Sequence, residues 1–240
     1  MTFHSPRGRR LTIERVISKA REEGRTVLTE YESKNLIKEY GISIPRERQV
    51  YTEKEAISAA EEIGYPVVLK LLSPQATHKS DLGLVRLGIK NEDDLIRNYR
   101  EVIGIAEREN LSISGILVQE MIPQGIELII GGIKDQHFGP TVMFGLGGIF
   151  VEVLEDVSFR VAPIDESEAK KMIREIKGYK IIRGIRGKKG ANEERIAQAI
   201  SSISRLMYDW EREIREIDIN PLIAYDDNAV AVDARIILEG

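Results

Sequence analysis

Ile214-Arg-Glu-Ile-Asp-Ile-Asn-Pro-Leu-Ile223 and Ala229-Val-Ala-Val-Asp-Ala-Arg-Ile-Ile237, joined by the turn Tyr225-Asp-Asp-Asn228, read as the two strands of a closing hairpin. Ile and Val dominate both runs, and Asp-Asp-Asn supplies turn chemistry between them. Upstream, Asn192 opens an amphipathic helix with Ile196, Ala199, Ile200, Ile203, Leu206 and Met207 on one face. Asp165 caps another helix, running to about Ile176, and Thr52 caps Glu53–Ile63. Further helices are predicted over Leu11–Glu23, Thr29–Tyr40 and Glu92–Arg108. Strands are expected near Gln49–Tyr51, Tyr65–Lys70, Leu84–Ile89, Ile113–Glu120, Glu127–Ile133, Pro140–Phe144, Phe150–Leu154 and Phe159–Ala162. Helices interleaved with mostly antiparallel strands predict an α+β fold rather than a doubly wound parallel sheet.

Composition narrows the field of functions. The chain has 240 residues, 42% hydrophobic and 31% charged, which suits a globular protein with a sizeable core. It has no cysteine, so disulfides, thiolate nucleophiles and Cys-based metal sites are excluded. No apolar run reaches the roughly 18 residues of a membrane helix and no signal peptide precedes the charged start, so a soluble cytoplasmic protein is expected. A net charge of −4 argues against nucleic acid as a partner. Residues 1–25 nevertheless hold seven Lys/Arg against three Glu, which reads as a solvated basic arm or a subunit contact. Neither a Gly-x-Gly-x-x-Gly fingerprint nor a Walker-type loop is present.

Three segments place polar residues where chemistry could use them. Lys70 at the end of a buried strand can meet phosphate as a point charge, or simply extend its ammonium into water. His78, in the polar loop Ser73–Asp81 beside Lys79, Ser80 and Asp81, can be a base, a ligand or a covalent phosphoryl carrier, or a solvated loop residue. On the hairpin, Asp218 and Asn220 share one strand face, and Asp233 on the partner strand comes within reach. An all-oxygen set of this kind suits Mg²⁺ with substrate phosphates. A solvated hairpin edge is the alternative.

Pro66-Val-Val-Leu-Lys70, Val118-Gln-Glu-Met-Ile122, Glu127 and Asp218-Ile-Asn-Pro-Leu222 with Asp233 together resemble an ATP-grasp fold. The closer resemblance is to the ATP-grasp (β) subunit of the ADP-forming acetyl-CoA synthetases, related to the succinyl-CoA synthetase β chain. Ser73-Pro-x-x-x-His78-Lys-Ser-Asp-x-Gly83, Phe144-Gly-Leu-Gly-Gly-Ile-Phe-Val-Glu152 and Asp156-Val-Ser-Phe-Arg160 carry it, and it covers about residues 25 to 240. The resemblance implies two lobes with the nucleotide held between them. It divides the chain into a basic arm (1–25), an N-terminal lobe (26–120) with a mobile His loop at 73–83, and a C-terminal lobe (121–240) with the Mg²⁺ hairpin.

By the same resemblance Lys70 meets the nucleotide phosphates, the backbone of Glu120, Met121 and Ile122 meets adenine, and Glu127 holds the ribose. Asn220 and Asp233 hold Mg²⁺ with Asp218 close by, and His78 is a phosphorylated carrier. Leu84 departs from the pattern, since relatives often have a second glycine there. The implied reaction is acyl-CoA + ADP + phosphate to carboxylate + CoA + ATP, with ADP/ATP as substrate and a CoA-binding α subunit as partner in an α₂β₂ assembly. Rival readings are an ATP-grasp carboxylate–amine ligase and a non-catalytic nucleotide-sensing subunit. Neither rival needs a phosphorylated His78.

Overall fold

A computed structural model describes residues 6–73, 82–148, 156–184 and 190–240. The chain forms two compact units, Met1–Ile44 with Pro123–Gly240, and Pro45–Ile122. It opens in the first of these with helices α1 (Pro6–Glu22) and α2 (Glu30–Glu39). Thr29 caps α2 through a box in which its hydroxyl accepts from Glu32 N and the Glu32 carboxylate accepts from Thr29 N.

The unit Pro45–Ile122 contains β1 (Glu47–Val50), α3 (Glu53–Ile63), β2 (Val67–Leu72), β3 (Val85–Ile89), α4 (Glu92–Arg108) and β4 (Gly115–Glu120). Its sheet runs β1-β4-β2-β3, antiparallel throughout. Thr52 and Glu55 form a capping box at the start of α3, and Gly64 ends that helix at φ 91°, a conformation side chains resist. Ala56, Ala59, Ala60 and Ile63 of α3, with Leu95, Tyr99, Val102 and Ala106 of α4, pack with Val67, Leu69, Leu71, Ile116 and Val118 into one core. Small alanines on α3 let the helix lie close to the strands beneath it.

The larger unit continues with β5 (Ile126–Asp135), β6 (Gly139–Leu146), β7 (Val157–Val161), α5 (Glu166–Glu175), α6 (Tyr179–Arg183), α7 (Glu193–Asp209), β8 (Ile214–Tyr225), β9 (Asn228–Ala231) and β10 (Arg235–Leu238). The sheet order is β10-β8-β5-β6-β7, with β9 also paired to β8, and every ladder is antiparallel. Helix α7 lies so near β5 that a Cβ on Gly132 would stand 2.6 Å from Met207 Cγ. Leu128, Ile130, Val142 and Phe144 of the sheet meet Ile196, Ile200, Ile203 and Met207 of that helix in the core. Among the described residues no helix is long and apolar enough to cross a membrane.

The α+β expectation and most element positions hold. Three expectations are corrected. Residues 6–22 are not a solvated arm, because Ile13, Ile17 and Ala20 form a buried stripe one helical turn apart and α1 docks on the larger unit. Residues 26–44 belong with Pro123–Gly240 and not with the lobe that follows them. Leu28 N donates to Ile236 O and Leu238 N to Thr26 O, which add this segment to the β10 edge, while Ala231 N donates to Ser43 O. The second hairpin strand is broken at residues 232–234, so β9 and β10 pair with different parts of β8. The strand expected at Phe150–Leu154 lies outside the described residues.

Candidate active site

In the smaller unit Lys70 sits inside β2, between Leu117 of β4 and Val85 of β3, and is only 6% exposed. It is therefore a buried cation in mid-sheet, not the strand-end lysine the sequence suggests. A buried ammonium is retained only with compensating partners or a ligand to meet. At the end of β4, Glu120 N donates to Arg46 O at 2.8 Å, and the carboxylate accepts from Arg46 Nε and Nη2 at 3.1 and 3.2 Å. That Arg46 pairing holds the Glu120 carboxyl below the usual range, against a smaller opposing effect of burial. Glu120 thus has both its carboxylate and its N–H engaged, and Met121 just beyond it stands 37% exposed.

The ends of the His loop are also in this unit. Leu71 N donates to Leu84 O at 3.0 Å, and Leu84 is fully buried in the core. The departing leucine thus anchors β3 against β2 at the loop's exit. His78 and Asp81 lie outside the described residues.

In the larger unit Glu127 is an exposed residue of β5, opposite Ile223 of β8. Gly147 N donates to Glu127 O at 2.8 Å. A Cβ on Gly148 would come within 3.0 Å of Glu127 Oε2, and one on Gly147 within 3.0 Å of its carbonyl carbon. The glycine cluster after β6 therefore lets the chain lie against Glu127 without displacing it.

The break in the hairpin brings the other candidates together. Leu222 pairs with Ala231 and Asp218 with Arg235, leaving three residues on each strand between these registers. Asn220 and Asp233 are the middle residues of those triplets and occupy matching positions. Val232 N donates to Pro221 O at 3.2 Å, closing the gap beside them. Burial pushes the Asp218 carboxyl above its ordinary range; Glu216 and Asp233 push the same way, and Arg235 opposes. Carboxylates that raise one another in a half-buried place favour a cation, and the donors here are all hard oxygens, which fits Mg²⁺. Among the described residues no group of three or more His, Cys, Asp or Glu side chains is spaced to hold an ion alone. One carboxylate with one amide, completed by phosphate oxygens, is the arrangement Mg²⁺ commonly takes.

The sequence reading misses the part played by Asp156, which is 7% exposed and follows the glycine-rich motif. Both its carboxylate oxygens accept backbone N–H groups, from Lys177 and Gly178, each at 2.6 Å. Asp156→Ala leaves two N–H groups without their acceptor, and should lower unfolding free energy by roughly 2–5 kcal/mol. Denaturant titration of the two proteins measures that loss, and an unchanged midpoint would mean other groups pin this turn.

Two antiparallel sheets, each packed against helices, make the α+β architecture in which Lys70 and the Asn220 and Asp233 positions are set. The chain belongs to the ATP-grasp domain family, whose model matches residues 19–238. Among ATP-grasp proteins it belongs with the β subunits of the ADP-forming acetate–CoA ligases. It is 48% identical over 225 residues to the β subunit of ADP-forming acetate–CoA ligase I of Pyrococcus furiosus, covering 93% of this chain and 96% of that one. It is also similar to a chain of the dinucleotide-forming acetyl-coenzyme A synthetase 1 of Ca. Korarchaeum cryptofilum, solved with coenzyme A, Ca-AMPCP and HgCl⁺. The TM-score there is 0.91 at 48% identity, over 94% of this chain and 99% of the other. Another structure of that synthetase holds coenzyme A and Mg-AMPPCP, with a phosphohistidine segment pointing towards the nucleotide-binding site. It matches with TM-score 0.85 at 46% identity, over 95% of this chain and 100% of the other.

Proposed function

We propose that this chain is the nucleotide-binding β subunit of a cytoplasmic ADP-forming acyl-CoA synthetase, interconverting acyl-CoA, ADP and phosphate with carboxylate, CoA and ATP. The observation that carries the reading is that Asn220 and Asp233 occupy matching positions across the hairpin break, in a chain that aligns with such β subunits over nearly its whole length. Lys70 binds the phosphates, and its fixed place in the sheet means little reorganisation accompanies phosphoryl transfer. The peptide groups from Glu120 to Ile122 take the adenine edge, and Glu127 takes the ribose hydroxyls. Asn220 and Asp233, with Asp218 beside them, hold Mg²⁺, which when bound neutralises phosphate charge.

His78 carries the phosphoryl group. Its imidazole nitrogen takes the group from a donor formed at the acyl-CoA site and passes it to the terminal oxygen of ADP, so the P–N bond breaks as the P–O bond forms. The Korarchaeum synthetase supports this, since its phosphohistidine segment is described in two orientations. A CoA-binding α subunit supplies the thioester site, in an α₂β₂ assembly. In keeping with that, the stretch aligned in Archaeoglobus fulgidus ADP-forming acetate–CoA ligase I makes up only 33% of a longer protein. The test is to co-purify the chain with its partner from the native host and assay ATP formation from ADP, phosphate and acyl-CoA. ATP formation by the isolated chain alone would refute the division of labour.

Lys70 gives a second test. Lys70→Met keeps the apolar stem inside the sheet and removes the ammonium. ADP affinity should fall tenfold to a hundredfold, the worth of a charge-assisted phosphate contact of roughly 1.5–3 kcal/mol. Calorimetric titration reads it directly, and an unchanged affinity would remove Lys70 from the site.

A further inference from the structure

Lys34 is among the largest side chains with essentially no exposure among the described residues, and no part of the proposed chemistry uses it. It lies in α2, one turn after Glu30, and its Nζ stands 2.9 Å from Glu30 Oε1, with both side chains at most 1% exposed. The same Nζ lies 3.5 Å from the carbonyl oxygen of Val232, the residue before Asp233. A buried ion pair of this kind is weak as a source of stability, because taking two charges out of water offsets most of their attraction. Its place in the fold is more informative than its energy.

The segment leading to Asp233 is held from three directions. Ala231 N donates to Ser43 O, Val232 N donates to Pro221 O, and Val232 O faces the Lys34 ammonium. Pro221 follows Asn220 directly, so Val232, with its N–H on Pro221 O and its carbonyl facing Lys34, links both candidate metal ligands to α2. That helix is itself fixed by its capping box and by Arg25, which donates to both Glu32 oxygens at 3.0 Å. The ladder does not supply this restraint, because residues 232–234 are where β9 and β10 part.

We propose that Lys34, neutralised by Glu30, is a positioning residue for the metal site: it fixes the Val232–Asp233 peptide so that the Asp233 carboxylate stands opposite Asn220 before the metal–nucleotide arrives. The inference rests on the reading that Asn220 and Asp233 hold the ion. Glu30 has a separate part to play. A bare ammonium next to a cation site would repel the ion, and the carboxylate cancels that charge. Partners that orient metal ligands are commonly worth ten- to a hundredfold in metal affinity.

The experiment titrates Mn²⁺ into the complete chain saturated with ADP, followed by electron paramagnetic resonance, alongside ADP affinity measured without metal. Glu30→Gln/Lys34→Met removes both charges while keeping side chains of similar length. It should bind Mn²⁺ on the order of tenfold more weakly and bind metal-free ADP as the wild type does. Glu30→Gln alone, which leaves the ammonium uncompensated, should also lose Mn²⁺ affinity without losing metal-free ADP affinity, and it decides the matter if the double variant does not fold. Asp233→Ala is the control. If it leaves Mn²⁺ binding intact, the metal reading falls and the role of Lys34 with it. If Asp233→Ala weakens Mn²⁺ binding while the folded Glu30 and Lys34 variants match the wild type, the pair is structural and only this inference is overturned. Equal losses of Mn²⁺ and metal-free ADP affinity would likewise overturn it, since a general disturbance of the fold would produce them.

Discussion

His78→Ala should abolish ATP formation from acyl-CoA in the assembled enzyme, at least a thousandfold below wild type, while ADP affinity stays within about twofold. The asymmetry follows from what the residue is asked to do. On the proposed reading the nucleotide is bound by Lys70, the peptides from Glu120 to Ile122, and Glu127, none of which the substitution touches. The covalent route runs through a single imidazole, and alanine offers no nitrogen to phosphorylate. Lys79, Ser80 and Asp81 are close in sequence but cannot replace it, because a serine phosphate or an acyl phosphate has a different transfer potential and geometry. The loop leaves β2 after Leu72 and re-enters the sheet at β3, with Leu71 and Leu84 hydrogen-bonded to each other at its two ends. With the two ends held together, a residue in the middle of such a loop stands at most about 17–20 Å from its base, which sets the swing available to the proposed carrier. Incubation with radiolabelled ATP and Mg²⁺ should label His78 through an acid-labile, base-stable bond. Label at another residue, or full activity in His78→Ala, would end the relay while leaving the ATP-grasp assignment intact.

Much of this arrangement is legible in the sequence where the determining chemistry is local. Thr52, Asp165 and Asn192 each accept a backbone N–H from three residues on, and the helices start where those caps place them. Asn220 and Asp233 stand out because amide and carboxylate side chains are poor strand formers in runs of Ile and Val. What escapes the sequence is set by partners far along the chain. Residues 26–28 join the β10 edge and Ser43 meets Ala231, so α2 belongs to a unit whose sheet strands begin only at Ile126. Charge in residues 1–25 obscures the narrower signal of Ile13, Ile17 and Ala20, whose spacing alone fixes the buried face of α1. Lys34 and Glu30 look like an ordinary solvent-exposed i,i+4 pair, and only their position under Val232 shows otherwise. The break that parts β9 from β10 is equally hidden, since Ala229–Ile237 has the pattern of one continuous strand.

That break is why changes at Asn220 and Asp233 should have effects out of proportion to their size. Asp233→Asn keeps the shape of the side chain and removes its charge, leaving two neutral amides and the half-buried Asp218 near the ion. The Mg²⁺ concentration for half-maximal activity should rise by roughly tenfold to a hundredfold, with the maximal rate partly recovered at high Mg²⁺. Adding Asn220→Ala takes away the second protein oxygen, and no Mg²⁺ concentration should then restore ATP formation. Asp218 is a poor substitute, because burial and Glu216 still disfavour its charged form once the Asp233 charge is removed. The fold should survive both changes, since Asn220 is exposed, Asp233 is only half-buried, and the flanking ladders of Leu222 with Ala231 and Asp218 with Arg235 are untouched. Activity against Mg²⁺ concentration, with unfolding curves for the same proteins, separates loss of the ion from loss of structure. Identical Mg²⁺ dependence in wild type and variants would make the hairpin structural and send the search for the metal ligands elsewhere in the fold.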